Sequence, residues 1–121
     1  MTKEKTIHIL DRDVRLRYCA ATENGFEQLR SKSVTDLDFH LNEDMIALSL
    51  SAIIAAYART DEEPPVSSND LLYDASPKDI ITLMTTVVEL RNEWYGVPKV
   101  VEETLASEQS DDQPADGEKN A

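Results

Sequence analysis

The chain has 121 residues, with 12 basic against 24 acidic side chains and a formal net charge of −12. Nucleic-acid binding needs cations to meet phosphate, so this charge argues against it. One cysteine, Cys19, excludes an intramolecular disulfide. No apolar signal follows Met1, and no apolar run approaches the roughly 20 residues of a membrane span, so a cytoplasmic protein is expected.

Residues 6–18 read TIHILDRDVRLRY. Ile7 and Ile9 alternate with polar neighbours, as do Val14 and Leu16. Two such period-2 runs joined by Asp11, Arg12 and Asp13 predict a β-hairpin. Its inner face is Ile7, Ile9, Val14 and Leu16. Its outer face carries His8, Arg15 and Arg17, a cationic patch on an acidic protein and a candidate protein-binding surface. A two-stranded hairpin is barely stable alone, so it must pack on helices or gain strands from a neighbour.

The spacing then predicts a first helix over about 19–31, capped by Thr22 or Asn24, with Phe26 and Leu29 pointing inward. A connector follows, KSVTDLDFH over 32–40. Val34, Leu37 and Phe39 are its apolar anchors, and Thr35 starts a single helical turn.

Residues 43–59 form the central helix. Ile46, Leu50, Ile53, Ile54 and Tyr57 fall at helical spacing, and Met45, Leu48, Ala52 and Ala56 fill a second face. Asn42 is the expected N-cap, with Glu43 and Asp44 in the first turn, where the helix dipole favours acids. Ser49 and Ser51 are expected to bond back to carbonyls one turn earlier.

DEEPPVSSND over 61–70 is a loop, because the proline pair stops both helix and sheet. Leu71, Leu72 and Tyr73 are read as a small apolar plug. Ser76, Pro77 and Asp79 then mark a strong helix start. That helix runs over 77–95. Ile80, Leu83, Met84, Val87, Val88, Arg91, Trp94 and Tyr95 share its broad face, and Gly96 and Pro98 end it. Trp94 and Tyr95 either cap the core or anchor a partner, since such residues dominate binding hot spots.

The expected fold is therefore α+β and mostly helical: an N-terminal β-hairpin packed on three main helices within a single domain over 1–101. Residues 102–121 hold seven acids and one lysine and hardly an aliphatic. They are expected to form a disordered acidic tail.

No catalytic motif stands out, so no enzyme activity, cofactor or metal is expected. The chain has no glycine-rich phosphate loop, having only Gly25, Gly96 and Gly117. His40 and Asp44 supply two ligands where a structural zinc needs four.

The order of parts resembles the tail assembly chaperones of long-tailed phages and prophages. The pieces that carry the resemblance are VRLRY (14–18), KSVTDL (32–37), ALSLSAIIAAYA (47–58) and SPKDIITLMTTVVEL (76–90). What the resemblance implies is a non-enzymatic factor of the host cytoplasm. It would bind the tape-measure protein, the long helical chain that sets tail length, and hold it until tube protein polymerises round it. It implies partners in the tape-measure protein and the tail tube protein, and several copies acting together. The alternative is an acidic phage-encoded inhibitor or nucleic-acid mimic that binds a host protein. Half of the negative charge lies in residues 102–121 rather than on a folded face, which disfavours mimicry.

Overall fold

The structure, a computed structural model, describes residues 3–96. The acidic tail expected over 102–121, and the expected domain boundary at 101, lie outside the described residues.

The alternating residues form two antiparallel strands, β1 (Lys3–Ile9) and β2 (Arg12–Tyr18). They pair with Ile7 opposite Val14 and Ile9 opposite Arg12. The turn differs from the expected Asp11–Arg12–Asp13. It is the two-residue turn Leu10–Asp11, with φ of 53° and 59°. Two positive φ values make a primed turn, whose twist matches that of the strands. Neither residue is a glycine, so the strands impose a conformation that Leu10 disfavours by itself. Ile9, Val14 and Leu16 are buried as expected, and Tyr18 joins them.

Helix α1 (Ala20–Arg30) follows directly. Thr22 is not its N-cap but sits in the first turn and reaches back. Its hydroxyl accepts from the Cys19 N–H at 3.2 Å and donates to the Arg17 carbonyl at 2.6 Å. Phe26 is buried, but Leu29 faces outward, 52% exposed. Gly25 lies against helix α2 (Asn42–Tyr57). A Cβ there would stand 3.0 Å from the Ser51 hydroxyl, so the absent side chain lets the two helices approach.

The connector forms one 3-10 turn, Val34–Asp36, started by Ser33 rather than Thr35; the Ser33 hydroxyl accepts from the Thr35 N–H. Val34 and Leu37 pack against the core as expected.

Helix α2 is buried on most sides, as a helix apolar nearly all round must be. Leu48, Ala52 and Ile53 are fully enclosed, whereas Ile54 is exposed. Asn42 lies inside the helix rather than capping it, and Leu41 precedes it. The Ser49 and Ser51 hydroxyls are buried and meet no hydrogen-bond partner, so the expected back-bonds are not made.

Beyond the loop, a short π-helical turn spans Asp70–Asp74. Leu71 is buried, but Leu72 and Tyr73 stand in solvent, so the expected plug reduces to Leu71, joined by Val66 from the loop.

Helix α3 (Pro77–Tyr95) starts with the expected reciprocal cap between Ser76 and Asp79. It ends at Gly96 with φ of 78°, a left-handed conformation that suits glycine. Its buried stripe is Leu83, Thr86, Val87 and Leu90, with Ile80, Met84 and Val88 on the margin. The hairpin lies across the helices, β2 mainly over α2 and β1 over α3. Lys5 ties β1 to α3 through Glu89 at 3.2 Å and Glu93 at 3.5 Å. Among the described residues, no helix is long and apolar enough to cross a membrane.

Candidate protein-binding surface

The last turn of α3 gathers aromatic rings around one arginine. Trp94 packs partly into the core, its ring 5.5 Å from that of Tyr18 and tilted by 54°. Tyr95 meets Trp94 edge-on at 5.0 Å, a favoured geometry for aromatic pairs. Arg91 lies one turn before Tyr95, so the two share a helix face. Its guanidinium stands 4.8 Å from the Tyr95 ring centre and 5.1 Å from that of Phe39. Phe39 is 45% exposed and Tyr95 49%. Phe39, Arg91 and Tyr95 thus form one continuous surface, with Trp94 as its base.

The surface is held in place from beneath. Glu23 on α1 accepts hydrogen bonds from the hydroxyls of Tyr18, at 2.8 Å, and of Tyr95. Burial first, and then the Glu23 carboxylate, push the Tyr18 hydroxyl well above its usual pKa. For Tyr95 the bond to Glu23 is the larger cause of an upward shift. Both phenols therefore stay protonated and donate throughout the neutral range.

The hairpin patch has a different character. His8 pairs through Nδ1 with Asp13 at 2.9 Å. Arg15 pairs with Glu62 at 3.2 Å and Glu4 at 3.8 Å, and lies 4.4 Å over the Tyr57 ring. Arg17 is half-buried, and its carbonyl accepts from Thr22. Acids thus pair with both His8 and Arg15. The structure does not bring all five predicted residues together. Trp94 meets the hairpin at Tyr18, five strand positions from the Asp13 that faces His8, or about 17 Å.

The sequence marks Phe39 as an apolar anchor of the connector and places Arg91 on the broad face of α3. The signal that joins Arg91 to Tyr95 was present in their spacing of four. Phe39 comes from a connector whose path no periodicity predicts.

A second cluster lies at the start of α2. Asp44 is fully buried, and its carboxylate meets three donors. Arg30 donates to it at 2.8 Å, Lys32 at 2.6 Å and the Asp38 N–H at 2.9 Å. Burial pushes its pKa up, but these three donors together outweigh burial and hold it down to about 2. This arrangement bolts the connector to α1 and α2.

No protein-family model matches the chain, no curated protein matches it, and no solved structure matches its fold.

Proposed function

We propose that the chain is a non-enzymatic assembly chaperone that binds the tape-measure protein during phage tail assembly in the host cytoplasm. The resemblance in the order of its parts suggests the class of partner. The observation that carries the reading is the half-exposed Phe39–Arg91–Tyr95 surface on a Trp94 base. Tyrosine, tryptophan and arginine are the residues that concentrate binding energy at protein interfaces. An apolar stripe on a long helix is the kind of surface such rings cover. The net charge of −12 makes coated partners repel one another, which keeps them apart in solution.

Co-expression tests this reading. A tape-measure protein that aggregates alone stays soluble when made together with the chain. Replacing both exposed rings, Phe39→Ala with Tyr95→Ala, weakens the complex by about 30-fold or more, as loss of hot-spot residues does. The variant keeps a cooperative thermal transition, because neither ring is enclosed. A tape-measure protein that stays insoluble beside the wild-type chain overturns the chaperone reading.

A further inference from the structure

The two edges of the hairpin are not equivalent. On β2, the Arg15 N–H points outward and donates to the Tyr57 hydroxyl at 3.2 Å. The Arg17 carbonyl also points outward and accepts from Thr22. A residue whose backbone faces outward on β2 stands opposite one that faces outward on β1. Arg15 pairs with Thr6, Arg17 with Glu4 and Asp13 with His8. The N–H and C=O groups of Glu4, Thr6 and His8 therefore line the outer edge of β1. Among the described residues no other strand joins the sheet there, and no hydrogen-bond partner reaches these groups. All three residues are exposed. Open edges of this kind invite a further strand.

The edge is complementary to itself. When β1 meets a second β1 antiparallel about Thr6, the whole of Lys3–Ile9 overlaps. The outward residues then face each other, Glu4 opposite the other copy's His8 and Thr6 opposite Thr6. Each acid meets an imidazole and the hydroxyls meet, both favourable cross-strand pairs. Sliding by two residues sets Thr6 against Glu4 or against His8 and loses the acid–imidazole pairs, and sliding by four sets Glu4 against Glu4 or His8 against His8. We propose that the chain forms a two-fold dimer by pairing β1 with β1 in this register, giving a continuous four-stranded sheet. The proposal stands on the edge alone and does not depend on which partner the aromatic surface takes.

Analytical ultracentrifugation of the full chain over about 1–100 μM tests it, since mass action must shift the equilibrium. The expected result is a rise from 13.6 kDa to twice that mass. Thr6→Pro removes the central outward N–H from both copies but no hydrogen bond within the hairpin, and proline is tolerated at such edges. It should raise the dimer dissociation constant at least about 30-fold, through two lost hydrogen bonds and their stranded acceptors. Charge variants provide a second, independent readout. Glu4→Lys alone and His8→Glu alone each weaken the dimer, and the two together restore it. Within one copy the double variant still sets like charges beside Arg15 and Asp13, so restoration must come from the contact between copies. A chain that stays monomeric overturns the proposal, as do growth beyond the dimer, a dimer indifferent to Thr6→Pro, and charge variants without rescue.

Discussion

Both ends of α1 are fastened by a carboxylate that accepts several hydrogen bonds, yet the two fastenings differ in kind. At the C-terminal end, Arg30 reaches Asp44, which is fully buried and shared with Lys32 and the Asp38 N–H. At the N-terminal end, Glu23 is half-buried and accepts from two neutral phenols, Tyr18 and Tyr95. A buried charge depends entirely on its partners, because water cannot replace them. A half-exposed carboxylate keeps water as an alternative. Counting hydrogen bonds, three against two, would rank them close together; solvent access separates them.

The largest expected effect is at Asp44. Asp44→Ala takes this acceptor from Lys32 and the Asp38 N–H, leaves Arg30 only Glu43, and leaves a void. Removing one partner of a fully buried pair costs about 3–5 kcal/mol. Arg30 and Lys32 keep 28% and 29% of their side-chain surface in solvent, which places the loss near the low end, about 3 kcal/mol. Urea denaturation measures it, and a loss below about 1 kcal/mol would show that the cluster is no stronger than a surface ion pair.

A smaller effect follows from protonating the same group. The folded pKa of Asp44, about 2, lies below its ordinary 3.8. Its ionised form thus contributes stability that is complete above the unfolded value and fades as pH falls through the folded one. Wild-type stability should drop between about pH 4 and pH 2 more steeply than that of Asp44→Asn. Parallel curves for the two proteins would remove Asp44 as the source.

The smallest effect is at the other end. Glu23→Gln keeps one acceptor oxygen but loses its charge, so about 1 kcal/mol is expected. It also loosens Tyr95, so partner binding should fall more than stability does. An equal fall in both would show that Glu23 supports only the fold.

The sequence made most of the fold legible where one local rule acted alone. Alternation located both strands, and the cap at Ser76 and the stop at Gly96 bounded α3. Errors fell where tertiary contacts decide. Thr22 has the chemistry of an N-cap, but the Arg17 carbonyl captured its hydroxyl. Leu29 and Ile54 fit helical periodicity, yet both stand in solvent, because the neighbouring elements and not the periodicity decide where the covered face ends. The turn carries no glycine, so its position at Leu10–Asp11 follows only from the register of the strands. Of the candidate surface, Trp94, Tyr95 and Arg91 were visible in α3. Phe39 became part of it only through the path of a connector that Asp44 fixes through the Asp38 N–H, six residues before it.

The ion pair between Lys5 and Glu89 joins residues 84 positions apart, and it orders the events of synthesis. Ribosomes add about 5–20 residues per second, so β1 is made some 4–17 seconds before the helix that supports it. In that interval the hairpin can lean only on α1 and α2, with a turn that does not favour its own closure. The apolar side of β1, Ile7 and Ile9, stays uncovered until α3 arrives. A newborn chain therefore presents an unsheltered strand just when neighbouring chains on the same messenger present theirs. Contact between nascent copies through that uncovered face is a hazard in that window; the arrival of α3 covers the face and leaves only the edge of β1 open.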